Sequence, residues 1–199
     1  MLPRALCFDG FALLHSGKSH TPIYVAERLN RSIIEKDIAR GDSFYEEARL
    51  PSAERATLED YRGSGFDRGH MAPAADMGSD EAMAQSFSLA NIVPQAPINN
   101  RKAWAKIEKD TRKYVMRAAG DVYVITGPVY EANPATISAG KVWVPQHLFK
   151  LVYDLSSRRA WAHWLDNTDE ARLGKPISYE ELVQRTGIDF LPGFSGIFE

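Results

Sequence analysis

Cysteine is almost absent. Cys7 is the only one in 199 residues, so no intrachain disulfide can form and no cysteine-rich zinc cage can be built. Long apolar runs are missing too: no window approaches the roughly 20 residues that cross a bilayer, and a soluble chain with no membrane partner is expected. The start, MLPRALCFDGFALLHSG, is broken by Asp9 and Gly10 and lacks a convincing cleavage site, which makes it a poor signal peptide. There is no Gln, Ser, Gly or Pro tract and no internal repeat, so residues 1–199 are expected to fold as a single globular domain. Nor is there an excess of one charge. A net charge of -2 excludes a protein that coats nucleic acid through bulk charge, and any phosphate site must be local.

One local concentration of positive charge exists. From Asn100 to Arg117 the chain carries Arg101, Lys102, Lys106, Lys109, Arg112, Lys113 and Arg117 against only Glu108 and Asp110. A solvated helix face is the better account of such a run when it is taken alone. Ala103, Trp104, Ile107, Thr111, Tyr114 and Val115 recur at three and four, which predicts a helix over Asn100 to Arg117 with one apolar stripe. Ser178 before YEELVQRTG reads as an N-cap, with Glu181 completing a capping box and Gly187 as the stop.

Strands are expected at Pro22 to Leu29, at Asp121 to Thr126 (stopped by Gly127 and Pro128), and at Val142 to Tyr153. The last continues through a turn at Ser156 to Arg159 into a returning strand, Ala160 to Leu165. Trp143, Trp161 and Trp164 fall in these strands and are expected to pack in the core rather than stack on bases. Turns and irregular segments link the strands. The fold class expected is therefore α+β, with a central mixed, largely antiparallel sheet flanked by helices.

Chemistry concentrates in YRGSGFDRGHMAPAADM, Tyr61 to Met77. Arg68 offers a planar, always charged fork for phosphate oxygens, and His70 is the side chain best suited to proton exchange near neutral pH. Phosphoryl transfer also needs positive charge beside the leaving oxygen, which a divalent ion supplies. Asn91, Gln95, Asn99 and Asn100 offer oxygen donors just before the basic helix, and Glu108 lies two turns into it; such donors suit Mg²⁺ better than Zn²⁺. Glu108 stands roughly 12 Å along the helix axis from Asn100, so two direct bonds to one ion are not expected. With Asn100 binding directly, Glu108 reaches the ion through a water. Taken singly, these pieces read as ordinary structure: an Arg-Gly-His loop, an Asn pair capping a helix, Glu108 paired with a neighbouring base, and Arg49 and Arg62 in surface ion pairs. Asp67 is expected to orient the loop or Arg68. His15, His20, His147 and His163 lack metal-ligand spacing and read as structural.

Taken together, Asp67-Arg68-Gly69-His70 followed by Asn91, Gln95, Asn100 and Glu108 resembles the signature of the ββα-metal non-specific DNA/RNA endonucleases. Arg40-Gly41-Asp42-Ser43-Phe44 resembles the family segment that brings a phosphate-binding arginine. ITGPVY, VWVPQHLFKLVYD and ISYEELVQRTGIDFLPGF extend the resemblance over almost the whole chain. It implies a ββα-metal finger and a Mg²⁺-dependent (or Mn²⁺-dependent) nuclease that cuts DNA and RNA to 5′-phosphate ends. His70 would activate water, Asn100 would ligate the ion directly and Glu108 through water. Arg68 and Arg40 would grip the phosphate, and Asn91 and Gln95 would position groups around the ion. Arg101 and Lys102 would meet the nucleic acid. The resemblance further allows a secreted or periplasmic location, a homodimer and a protein inhibitor. Two rival readings use the same scaffold: an inactive nucleic-acid-binding protein, and a nuclease toxin held by an immunity partner.

Overall fold

The computed structural model describes residues 2–139 and 141–193, and the backbone alone of 197–198; Phe194, which closes the last family-like segment, lies outside them. In chain order the elements are β1 (Arg4–Cys7), β2 (Phe11–Ser16), β3 (Thr21–Leu29), α1 (Arg31–Ile34), α2 (Leu58–Tyr61), β4 (Asp67–His70), α3 (Asp80–Ser86), β5 (Ile92–Gln95), α4 (Ala105–Val115) and β6 (Val122–Val129). They continue with β7 (Thr136–Ile137), β8 (Val142–Trp143), β9 (His147–Asp154), β10 (Arg159–Asp166), β11 (Ile177–Ser178), α5 (Tyr179–Thr186) and β12 (Ile197–Phe198). The main sheet runs β1-β2-β3-β6-β9-β10-β11, with β12 also on β10. Its pairings are antiparallel except that of β10 with β12. The expected α+β class, mixed and largely antiparallel, is what forms.

Alternation along β9 sorts the two faces of the sheet. Leu148 and Val152 point to the side covered by α4, where Trp104, Ile107 and Val115 are buried. Phe149 and Leu151 point to the other side and pack with Tyr179 and Leu182 of α5. The small antiparallel pair β4-β5 stands off the main sheet and leads into α4, completing a ββα unit.

Three strand expectations change. β6 does not stop at Gly127 and Pro128 but runs through both to Val129. Beyond Thr126 it is bonded only to β9 and no longer to β3, so the missing N–H of Pro128 falls on an open edge. The stretch Val142 to Tyr153 divides: Val142–Trp143 pairs with β7 and His147–Asp154 joins the main sheet, with Pro145 lying between them. The three hairpin-region tryptophans are half-buried rather than core. Trp161 meets Tyr114 edge-on, Trp164 lies over His147, and Trp143 lies against Tyr130; β10 buries Ala160, Ala162 and Leu165 instead.

The helical expectations also shift. The long helix starts with a π-helical turn, Asn99–Trp104, before α4 proper ends at Val115. At α5, Ser178 does cap the N–H of Glu181 and Gly187 takes the left-handed stop at φ 70. The Glu181 carboxylate, however, pairs with Arg185, so the capping box is only half made.

Gly69 is held to glycine by close approach. A Cβ placed there would stand 2.7 Å from Gln95 Cβ and closer still to its amide oxygen. Gly69→Ala should therefore push β4 off β5 and lower stability by about 1–3 kcal/mol. Urea unfolding reads this directly, and an unchanged midpoint would show that the pair has slack.

Candidate active site

β4 delivers His70 to the base of an open cleft. The residue is 9% exposed, its ring packed at 5.4 Å from Phe44 and 5.0 Å from Phe87 between ring centroids. The backbone that follows is clamped by Asn91. Met71 N–H donates to the Asn91 carbonyl at 2.9 Å and Ala72 N–H to its side-chain oxygen at 2.9 Å, while the Asn91 amide nitrogen donates to Ala72 O and Ser86 O. The Asn91 amide is thus spent on holding the strand exit, and its oxygen is committed to Ala72. Gln95, wholly buried behind Gly69, donates to Asn99 Oδ1 at 2.8 Å. Neither residue lines the cleft; the bonds of both are made to the frame around His70.

The cleft, about 490 Å³, brings together Arg40, Asp67, Arg68, His70, Asn100 and Glu108. The π-helical turn separates the two asparagines. Asn99 is buried, donating to Asp166 O, whereas Asn100 Nδ2 donates to Asp67 Oδ2 at 2.9 Å. Asp67 also takes both Arg101 bonds, at 2.9 and 2.7 Å. The partners of Asp67 are therefore Asn100 and Arg101, not Arg68. A carboxylate only accepts, so it fixes which end of the Asn100 amide is nitrogen and leaves Oδ1 available. Arg101 is partly engaged by this pair, though its side chain stays 69% exposed; Lys102 is exposed and unpaired among the described residues.

The two cleft arginines are held by rings rather than by acids. The Arg68 guanidinium sits 4.8 Å from the centre of Phe44 and that of Arg40 5.6 Å from Phe87. With no carboxylate partner among the described residues, both keep their N–H forks for an incoming anion.

Burial, reinforced by the Arg40 charge, lowers His70 to about 3, so the imidazole is neutral at physiological pH. Its Nε2 is buried without a hydrogen-bond partner. Burial raises Glu108 to about 7, helped by Asp76 and opposed by Lys150, Arg112 and Arg40. Beneath it lies a charged layer that the sequence reading missed. Glu27, Asp76 and Lys150 are each under 5% exposed; Arg112 bonds Asp76 at 2.8 Å, and Lys150 donates to Thr126 Oγ1 at 2.7 Å. An acid in PIYVAERL and a lysine in HLFKLVYD, both inside apolar runs, were the available signals.

Among the described residues no three His, Cys, Asp or Glu side chains converge to hold a metal. What the cleft offers is the free oxygen of Asn100 with Glu108 in the same lining, a donor set that fits a hard, still-hydrated cation. His15 and His20 contact the backbone carbonyls of Glu54 and Arg55, and His147 contacts Asp166. These three, like His163, are absent from the cleft lining, in keeping with structural roles.

Comparison with known proteins gives concordant matches. The sequence profile for the DNA/RNA non-specific endonuclease family matches residues 2–195. Human mitochondrial endonuclease G is 36% identical over 158 residues, which are 72% of this chain and 52% of that protein. A nuclease of Nostoc is 32% identical over 201 aligned positions, 93% of this chain and 72% of that one. The chain thus spans about half the length of human endonuclease G. Among solved structures, EndoG in its complex with EndoGI aligns at a TM-score of 0.85 with 25% identity, covering 96% of this chain and 86% of that one.

The raised Glu108 sets a direction for stability. Between about pH 4.3, where an unfolded glutamate titrates, and about 7, the folded chain keeps a proton that the unfolded chain releases. Metal-free protein should thus lose stability as pH rises through that window. Denaturant unfolding in chelator from pH 4.5 to 8 should show the decline in wild type and a smaller one in Glu108→Gln; parallel profiles would remove Glu108 as the source.

Proposed function

The chain belongs to the DNA/RNA non-specific endonuclease family, and from that membership we propose that it is a Mg²⁺-dependent, sugar-non-specific endonuclease acting through His70. One observation carries the reading: a neutral, buried His70 Nε2 with no partner shares one cleft with two ring-held arginines, Asn100 and Glu108. A protein that only binds nucleic acid needs the arginines but not that histidine.

The scissile phosphate enters as an anion and is gripped by Arg68 and Arg40. His70 takes a proton from the attacking water, and the bound anion raises the basicity of the imidazole as it does so. The new P–O bond forms as the bond to the 3′ oxygen breaks, and that oxygen takes a proton from a water in the open cleft, leaving a 5′-phosphate and a 3′-hydroxyl. Asn100 Oδ1, with Glu108 acting through water, would hold Mg²⁺ or Mn²⁺, which when bound would supply positive charge for the leaving oxygen. Asp67 keeps the Asn100 oxygen turned outward. These contacts address phosphate, which carries no base identity, and none needs a 2′-hydroxyl; DNA and RNA should both be cut.

The solved relative is in a complex described by its mechanism of EndoG inhibition. By the same reasoning the open cleft here suits a protein inhibitor or immunity partner. A secreted or periplasmic location belongs to the same proposal. No described helix is long and apolar enough to cross a membrane.

Supercoiled plasmid and a structured RNA should both fall to short fragments with Mg²⁺ and survive in EDTA. His70→Ala should cost about 10²–10⁴-fold, and Asn100→Ala should lose activity while remaining folded. Wild type that leaves both substrates intact across divalent ions would overturn the assignment. Protons and metal also compete for Glu108, so the acid limb of the rate near pH 7 should move to lower pH as Mg²⁺ is increased; a limb that ignores metal would place the titration elsewhere.

A further inference from the structure

A second open groove, about 550 Å³, adjoins the catalytic cleft, and the two share Arg40 and Ala74 as walls. α4 and the residue after it line both. Ala105 and Glu108 face the cleft, while Lys109, Arg112, Lys113 and Met116 face the groove. These positions recur at three and four, forming one helix face. From Ala105 to Met116 that face rises about 16 Å, several times the roughly 3.4 Å that one nucleotide adds along a stacked strand.

The groove is cationic at its rim and apolar within. Asp37 is the one acidic side chain in its lining, set against Arg40, Lys109, Arg112 and Lys113. Arg112 is already tied to Asp76. Lys109 is exposed with no partner among the described residues, and Lys113 is 60% exposed, reaching Asp110 only at 3.5 Å. Ile34, Ile38 and Met116 give half-buried apolar wall, and a thioether makes favourable contact with an aromatic ring. A phosphate joined to a planar base matches this arrangement, and the shared Arg40 places it next to the phosphate in the cleft.

We propose that the groove holds the nucleotide adjoining the scissile phosphate on the same strand, its own phosphate at Lys109 and Lys113 and its unstacked base against Ile38 and Met116. The proposal rests on the nuclease reading of the cleft and deepens it: a base can enter only when it is free of its stack, so single-stranded or locally opened nucleic acid is the preferred substrate.

The test is a single-stranded 12-nucleotide DNA with one abasic position, cut by wild type with Mg²⁺ and resolved to single bonds. One bond at a fixed offset from the abasic site should be cut about tenfold more slowly than in the intact strand. In an Ile38→Ser, Met116→Ser variant that dip should vanish, because the intact strand then also lacks the base contact. Lys109→Ala with Lys113→Ala should slow the 12-nucleotide strand about tenfold and leave hydrolysis of bis(4-nitrophenyl) phosphate, too small to reach the groove, at the wild-type rate. A uniform ladder around the abasic site would overturn the base subsite, and equal slowing on both substrates would show that the lysines act through the helix. Wild type that hydrolyses neither substrate would fail the nuclease reading itself and take the groove with it.

Discussion

The active geometry depends on a layer of charge buried between α4 and the sheet. Arg112 bonds Asp76 across that layer at 2.8 Å. Asp76 closes the short helical turn that follows β4, so the pair fastens α4 to the segment carrying His70. Arg112 is one helical turn beyond Glu108 and three turns beyond Arg101, which places the lock between the cleft and the far end of the helix. Breaking a buried pair of this kind by removing one partner costs about 3–5 kcal/mol, several times the value of the exposed pairs elsewhere on α4, such as Lys106 with Asp110. Packing of Trp104 and Ile107 holds the helix on the sheet; the ion pair sets its register.

The same layer is out of balance. Asp76 raises both Glu27 and Glu108, and Glu108 raises Glu27, with only Lys150 and Arg112 acting to lower all three acids. Burial resists a negative charge on each acid, and both oxygens of Glu27 are buried without a hydrogen-bond partner. Glu27 is accordingly held well above the usual carboxylate range. Of the three acids, Glu108 is the one that reaches the cleft. The deficit in positive charge is therefore expressed where a cation can approach from solvent, beside the free oxygen of Asn100.

Local patterns were legible in the sequence and distant partners were not. The helix stripe, the β9-β10 hairpin and the Ser178 cap depend on residues a few positions apart, and periodicity reveals them. The Asp67-Arg101 pair joins residues 34 apart, whereas the sequence offers Asp67 only its own loop or its neighbour Arg68. Asn91 and Gln95 could be placed near the site, and the resemblance gave them a task around an ion, but the sequence could not say whether their amides face the cleft or the backbone. The π-helical turn was invisible for a related reason: six residues of NNRKAW carry no mark of widened winding, yet that turn sends Asn99 inward and Asn100 to Asp67. The split of Val142 to Tyr153 was marked by Pro145, but continuous apolar character outweighed it.

The near-neutral charge of the whole chain and the strongly basic helix are two sides of one arrangement. Most cations elsewhere are matched: Arg4 with Glu54, Arg31 with Glu35, Arg49 with Glu47, Arg185 with Glu181. Around the cleft the rule changes, and aromatic faces take the place of carboxylates. A ring stabilises a guanidinium through its face and leaves the N–H edge unspent, whereas a carboxylate would occupy the very donors a phosphate needs. Phe44 and Phe87 serve in this way for Arg68 and Arg40, and the same two rings pack against His70. One aromatic pair thus keeps water from the imidazole, lowers its basicity while the cleft is empty, and holds two positive charges ready. On the proposed reading, arrival of the anion would offset the charge of those arginines and return basicity to His70, so the base would be strengthened only where substrate is bound.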